Sequence, residues 1–436
     1  MNKAKYVFIL SVLGIALAGC NQSQPVDPNK QYGQDPVLPD PKNFLVPPMK
    51  VPKGVGWQAD QKPQVIQGLK IEKIADQLQH PRQLYTLPNG DVLVVEANSP
   101  GEEATTTPKQ LIANKVKGIS GKASKGGNKI TLLRQQADGG WKKYDFLQNL
   151  HSPFGVQLIG NTLYVANTGN IMKYPYSNGA TKIESQGEEL TDLPNTVNHH
   201  WTKALLASPD GSKLYVGVGS NSNITENGLE IEYRRANILE VDVTSGASRI
   251  FASGLRNPTG IQWEPQTQKL WAIVNERDEI GDSLVPDYLT SVREKGFYGW
   301  PYSYYGQHID QRVQPQRPDL VAKAIKPDYT LSSHVAPLGL WFATQNIRLT
   351  DQFKNGAFVS NHGSWDRNPL NGYDVIFIPF ENGQPVGQPI PVVTGFYSQD
   401  QKKLYGAPVG LTEDKSGALL IADDVGNTIW RVSANN

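Results

Sequence analysis

An all-β fold is predicted by three observations. Glycine (41) and proline (31) are frequent among the 436 residues and only 19% are charged, a composition of many short strands and turns rather than of long helices. One phrase also recurs, a turn followed by an apolar strand: LPNGDVLVVEA at Gly90, LIGNTLYVANT at Gly160, SPDGSKLYVGVGS at Gly211, EPQTQKLWAIVNE at Gln268, FKNGAFVSNHG at Gly356 and DKSGALLIADD at Gly417. Third, the six copies are spaced by about 50 to 90 residues, room for one four-stranded sheet each plus insertions. Six such sheets around one axis make a six-bladed β-propeller with a central-channel active site. The recurrence runs without a linker-like interruption from Gln64 to the C-terminus, so residues 64–436 are expected to form one domain.

The segments before that body read differently. Residues 1–19 carry Lys3 and Lys5, then an apolar run from Val7 to Ala18, then Leu17-Ala18-Gly19-Cys20. This is the pattern of an export signal, and the run is short for a bilayer span. Cys20, the only cysteine, is expected to be the lipid-bearing first residue of a bacterial lipoprotein. Asn21 provides no aspartate retention signal, which favours the periplasmic side of the outer membrane over the inner one. Residues 20–63 are rich in proline and are expected to be an extended tether.

Removing Lys3 and Lys5 leaves 40 basic residues against 41 acidic ones, a balance that does not suit nucleic acid as a partner. One stretch departs from it: Lys109 to Lys129 holds six lysines and no carboxylate, a solvated loop or a contact for an anionic membrane surface.

Propeller pockets are lined by loops at one end of the channel, which directs attention to the polar clusters flanking the repeated strands. None of the seven histidines has metal-binding helical spacing and there is no Cys-x-x-Cys, so no zinc motif is present. NHHWTKALLASPDG places His199 and His200 before the third repeat, where a neutral imidazole could act as a general base or simply satisfy a loop. In GLRNPTG, Pro258 biases Asn257 to extended backbone, and Arg256 and Asn257 are either turn residues or a fixed cation and amide facing a ligand. VNERDEIGDSLVPDY carries Glu276, Asp278, Glu279, Asp282 and Asp287, hard oxygen ligands of the kind calcium takes, or a solvated acidic loop. SNHGSWDR offers His362, Trp365 and Arg367, an aromatic and cations suited to a flat anionic ligand.

Taken in order, HPRQLYTLPNGD, NHHWTKALLASPDG, GLRNPTG, VNERDEIGDSLVPDY, GFYGWPYSYYG, HVAPLGLWF, NHGSWDR and LLIADDVGNTIWRV resemble the sorbosone dehydrogenase branch of the soluble quinoprotein glucose dehydrogenase family. The likeness runs from about Tyr32 to the C-terminus. It implies a six-bladed propeller that holds pyrroloquinoline quinone (PQQ) and Ca2+ at the channel mouth and oxidises sugar hydroxyls or aldehydes. By the same resemblance His200 is the catalytic base, and Arg256 polarises the quinone carbonyl that accepts the hydride. Asn257, His362, Trp365 and Arg367 contact the cofactor, while Arg277 and Asp278 ligate Ca2+ through main-chain oxygens. The partners implied are a small sugar, alcohol or aldehyde substrate, an electron acceptor that the sequence does not name, and the membrane through the lipid anchor.

Two places depart from the family pattern. Ala407, in LYGAPVGL, stands where the family commonly has an arginine that pairs with the cofactor. An aspartate downstream of the catalytic histidine corresponds here to Ser220 or Asn221, leaving Asn221 or Glu226 as candidates to orient His200. The alternatives are a calcium-dependent propeller lactonase or hydrolase, and a propeller that binds without catalysis.

Overall fold

Each repeated phrase forms the first hairpin of a four-stranded antiparallel sheet, and its strand is the second of the blade. In the computed structural model, which describes residues 26–42, 50–101, 119–120, 126–196, 199–364 and 367–435, six such sheets form a six-bladed β-propeller. Blade 1 consists of Pro81–Thr86, Val92–Glu96, Lys129–Gln135 and Trp141–Leu147. Blade 2 is Gly155–Ile159, Thr162–Ala166, Asn170–Pro175 and Glu188–Asp192. Lys203–Ala207, Lys213–Val218, Asn237–Asp242 and Ser248–Ser253 form blade 3. Blade 4 is built from Asn257–Trp263, Leu270–Asn275, Pro286–Ser291 and Tyr329–Ser333, and blade 5 from Pro337–Phe342, Gly356–Asn361, Asp374–Glu381 and Ile390–Thr394. Blade 6 takes three strands from the C-terminus, Pro408–Glu413, Leu419–Asp423 and Thr428–Ala434, and its outermost, Leu69–Ala75, from the N-terminal side.

The first strands stand side by side around the channel, and glycine lets them approach. A Cβ on Gly339 of blade 5 would lie 2.1 Å from the Val409 carbonyl oxygen of blade 6, a spacing no side chain permits.

The second strands are buried on both faces, which is why they read as nearly continuous apolar runs. Leu93 and Val95 pack towards blade 2, while Val92 and Val94 face blade 6. Ala272 and Val274 meet blade 3, and Trp271 and Ile273 meet blade 5. Every interface between neighbouring blades holds one such apolar cluster. Truncating a central member such as Ile421, fully buried, would cost about 2–5 kcal/mol.

The expected tether differs from the structure over its described length. Tyr32–Gly33 adds a fifth strand to the outer edge of blade 4, and Gln64–Val65 does the same for blade 5. Lys53–Gly54 pairs in parallel with Lys403–Leu404, and Trp57 packs among Phe396, Tyr405 and Trp430. The physical reason is the open hydrogen-bonding edge of an outer strand, which a passing extended segment can satisfy. Residues 1–19 and Cys20 lie outside the described residues. Among the described residues no helix is long and apolar enough to cross a membrane.

Candidate active site

In every blade the first strand starts, and the second ends, at the same end of the channel. That end therefore collects the residues just before each first strand and just after each second strand. His80 to Arg82, His200 and Trp201, Gly219 to Asn223, Arg256 and Asn257, Glu276 to Asp278, His334, His362 and Asp424 all belong to it. A hollow at the opposite end, lined by Thr86, Trp341 and Glu413, contains none of them.

His200 is half-buried and its ring is oriented by blade 3 itself. Nδ1 lies 2.9 Å from the Ser220 carbonyl oxygen and 3.1 Å from Ser220 Oγ. A carbonyl only accepts, and the hydroxyl already donates to Ser222 O at 2.6 Å, so Nδ1 carries the proton and Nε2 is the basic nitrogen. The orienting group is thus neither Asn221 nor Glu226: Asn221 donates to Thr196 O and Glu226 accepts from Ile224 N. Buried Glu232 stiffens this loop by accepting from the amides of Asn221 and Ser222 and from Ser222 Oγ. His199 is exposed beside it, with ring centroids 4.5 Å apart.

Gly219 brings His200 to blade 4. A Cβ there would stand 2.4 Å from Asn257 Oδ1 and 2.5 Å from His200 Cβ, so these two side chains approach within about 5 Å across the glycine. The adjoining Ser220 amide donates to the Arg256 carbonyl at 2.7 Å. Asn257 is buried, and its Oδ1 has no hydrogen-bond partner among the described residues.

Arg256 is buried and points under the acidic loop. It donates to Glu276 O at 2.6 Å, to Asn223 Oδ1 at 3.0 Å and to Asn223 O at 3.3 Å, with the Asp278 carboxylate 3.6 Å away. Asn223 also bridges to Asp278, accepting from its amide and donating to its carbonyl. Burial would raise the Asp278 carboxyl, but His334, Arg256 and His199 outweigh it and hold it well below the usual carboxylate range. His334 sits between the Asp278 carboxylate (3.3 Å) and the Gly281 carbonyl (2.9 Å). Asp287 accepts from the amides of Glu276 and Ala336, tying the loop to blade 5.

The calcium ligands expected here are the main-chain oxygens of Arg277 and Asp278, in a loop whose carbonyls also take part in hydrogen bonds. The Asp278 carbonyl already accepts from Asn223 Nδ2 and Arg312 Nη1, and the neighbouring Glu276 carbonyl accepts from Arg256. The Arg277 side chain is fully buried away from the channel, held by Glu276, Asp310 and the carbonyls of Pro301 and Ser303. Among the described residues no group of three or more His, Cys, Asp or Glu side chains is placed to hold a metal ion.

A second cluster centres on Asp424 of blade 6, fully buried. His362 Nε2 lies 2.9 Å from its Oδ2, His80 Nε2 lies 3.3 Å away, and Arg82 Nη1 donates to it. Burial would raise this carboxyl, but His362, His80 and Arg82 hold it well below the carboxylate range. Arg82 also stacks 5.7 Å over the Trp201 ring, next to His200, and its Nε has no hydrogen-bond partner among the described residues. Arg367 is not part of this cluster: it reaches the carbonyls of Ser333 and Val26 and Gln31 Oε1. Trp365 lies outside the described residues.

At Ala407 the main chain replaces a side-chain charge. Its amide donates to Asp423 Oδ1 at 2.9 Å and its carbonyl accepts from the Asp424 amide at 3.2 Å. Arg82 is therefore one residue removed from the place where an arginine is missing. Burial lifts Asp423 itself to about 6 against donors from Trp57, Gly426, Trp430 and Ala407.

Arg82 beside Trp201, the His200 imidazole and the Asn257 side chain therefore gather at this one end of the channel. Asn257 Oδ1 and Arg82 Nε are buried here without hydrogen-bond partners among the described residues. Arg82, His80, Asp424, Asn223 and His334 were not singled out from the sequence as site residues. A proline at or within two residues of the start of the first strand in five blades, Pro81, Pro153, Pro258, Pro337 and Pro408, was the available signal, because aligning on it sets His80-Pro81-Arg82 against Asn257-Pro258-Thr259.

The sequence model of the TrAA12-like family matches residues 63–288 and 307–435. An uncharacterized protein of Borreliella burgdorferi is 27% identical over 304 residues, 67% of this chain and 78% of that protein. The pyrroloquinoline quinone-dependent pyranose dehydrogenase of Coprinopsis cinerea is 24% identical over 259 residues, 49% of this chain and 34% of that longer protein. Among solved structures, the Trichoderma reesei carbohydrate-active enzyme of family AA12 shares the fold with a TM-score of 0.69 at 19% identity, covering 90% of this chain and all of that one. The PQQ domain of the Coprinopsis cinerea enzyme, in its holo form, gives 0.69 at 18% identity over 88% of this chain and all of that one.

Proposed function

The chain belongs to the TrAA12-like family, and we propose that it oxidises a sugar hydroxyl or aldehyde with bound PQQ. Support comes from its sugar-dehydrogenase relatives, but one observation carries the reading. His200, Asn257, Arg256, Arg82 and His362 share one channel end, with the acceptor of Asn257 and one donor of Arg82 buried and unsatisfied. The narrower placement in the sorbosone branch rests on the ordered motifs alone.

The quinone, when bound, supplies an electrophilic carbonyl that accepts a hydride from the substrate carbon. The chain's own residues do the rest. His200, with Nδ1 committed to Ser220 O, takes the substrate hydroxyl proton at Nε2. Arg82 and His362 would hold the cofactor's carboxylates, and Asp424 fixes both side chains in place. Arg256 acts through rigidity: its donors lock Asn223 and the Glu276 carbonyl, and its charge is paired with the Asp278 carboxylate, so the loop at the channel mouth does not reorganise. Asn257 would hold the edge of the cofactor ring. Calcium, which the sequence resemblance implies, would need the Asp278 carbonyl freed from Asn223 and Arg312, and no step here uses it.

We further propose that residues 1–19 are removed and that Cys20 carries lipid, anchoring the enzyme on the periplasmic face of a membrane, the outer one by the absence of aspartate after the cysteine. Titration of the purified protein with PQQ, read by absorbance and by dye reduction with a panel of aldoses, tests the enzymatic reading. Saturable binding with sugar-dependent reduction is expected; binding without turnover would support the non-catalytic propeller, and the absence of both binding and turnover would overturn the quinoprotein assignment.

A further inference from the structure

The first described residue, Val26, sits at the same end of the propeller as the candidate site. Its amide donates to Ser283 Oγ at 3.2 Å and its carbonyl accepts from Arg367 at 3.3 Å. Ser283 belongs to the loop that carries Asp278, and Gln31 clasps the same loop by donating to the Ser283 carbonyl at 2.6 Å. From Val26 the strap descends the outer edge of blade 4 through Tyr32–Gly33 and returns, Lys42 donating to the Ile280 carbonyl at 2.9 Å.

Resting on the lipid anchor proposed above, we propose that the site end of the propeller docks against the bilayer that holds the Cys20 acyl chains, so that the channel mouth faces the headgroups. Six residue steps separate Cys20 from Val26, a reach of at most about 20 Å. A six-residue strand alone is about 20 Å long, and the molecule adds loops at both ends of its strands. A tether leaving at the site end is therefore too short to let the opposite end turn to the membrane.

Two features of the same end fit a bilayer. Tyr233, 75% exposed, and Leu229, 37% exposed, flank the Glu230–Glu232 turn in the loop that leaves the second strand of blade 3. An exposed tyrosine beside an aliphatic side chain is the chemistry of the membrane interface. The insertion that carries the lysine run also leaves the fold here, since its described flanks Ala97 and Gly127 donate to the carbonyls of His80 and Gln79. Between Ala97 and Gly127 the sequence holds five lysines, Lys109, Lys115, Lys117, Lys122 and Lys125, against two carboxylates, Glu102 and Glu103, a basic composition that favours an anionic surface. A water-soluble substrate then enters from the side, through the gap the tether sets.

The test uses the lipidated full chain in phosphatidylethanolamine–phosphatidylglycerol vesicles. Single cysteines are introduced as Tyr233→Cys or Leu229→Cys at the site end and Asn161→Cys in the blade 2 hairpin at the opposite end, exposed positions outside the catalytic machinery. With Cys20 acylated, only the added thiol takes a fluorophore, and quenching by headgroup nitroxide lipids reports proximity. Site-end probes are expected to be quenched at least threefold more than the Asn161→Cys probe. Equal or reversed quenching in an acylated protein overturns the orientation, including the case in which a protein partner covers the site end. The mass of the N-terminal peptide is read separately, and an unmodified cysteine there overturns the anchor instead.

Discussion

Replacing Gly219 with alanine is expected to cripple turnover while leaving the propeller folded. Gly219 does not occupy the left-handed region, so alanine is free to adopt its backbone and only space decides the outcome. The new Cβ would meet Asn257 Oδ1 at 2.4 Å, His200 Cβ at 2.5 Å and His200 Cγ at 3.0 Å. Carbon contacts settle near 3.5 Å, so His200 has to retreat by about 1 Å. Its Cβ is close to the backbone and cannot swing aside as a side-chain tip would. A displacement of that size at a catalytic base costs about 100-fold in rate, about 2.7 kcal/mol of barrier. The accompanying overpacking should lower stability by about 1–3 kcal/mol. The assay is kcat for sugar-dependent dye reduction at saturating PQQ, with circular dichroism and Tm on the same sample. A Gly219→Ala protein that binds PQQ and keeps kcat within threefold of the parent would refute both the contact and the role of His200.

Asn257→Ala removes a buried acceptor that has no partner in the unliganded protein, so Tm should hold or rise, by up to about 1 kcal/mol of stability, while PQQ affinity falls about tenfold. Calorimetry and a quinone titration read both, and a destabilised variant with unchanged affinity would contradict it. Trp57→Ala should cost about 2–4 kcal/mol, because it empties a contact with Phe396, Tyr405 and Trp430 and removes a 2.6 Å hydrogen bond to Asp423. Denaturant unfolding measures this, and no change would mean that the segment is a tether after all. Burial lifts both Asp374 and Asp423 to about 6 from an ordinary 3.8. The folded protein thus holds protons that the unfolded chain has lost between about pH 4 and 6, and their contribution to stability falls as pH rises through that window. Thermal scans should show Tm decreasing from pH 4.5 to 6.5, and a steady rise there would contradict the assignment.

The blades were legible because each depends on local chemistry: a glycine-bearing turn beside an apolar strand marks the first hairpin wherever it occurs. Partners from distant insertions were not. Arg277 sits in a run of carboxylates and reads as part of an exposed acidic loop, yet its guanidinium is enclosed by Pro301, Ser303 and Asp310, which arrive from a later excursion of blade 4. Proline content made residues 20–63 look like a spacer, because composition does not reveal that blades 4 and 5 leave an edge for Tyr32 and Gln64 to complete. At the candidate site, GLRNPTG drew attention to Arg256 and Asn257, which the fold brings to the channel end of His200, but the direction of the Arg256 side chain depends on Asn223, a polar residue in a loop with no pattern of its own. Arg82 escaped notice for the converse reason, since one arginine after a His-Pro carries no signal until Asp424 is folded against it.

The strand Leu69–Ala75 has its partner, Thr428–Ala434, about 350 residues later in the chain. During synthesis or refolding it waits without that partner until Thr428–Ala434 has been made, and the ring cannot close before then. Such distant pairing makes assembly slow and concentrates the cooperative step at its end. The same latch means that loss of only the final seven-residue strand would release both neighbours of the gap, exposing the Asp424 cluster to water at one stroke. Addition of that strand and the integrity of the candidate site are thereby a single event.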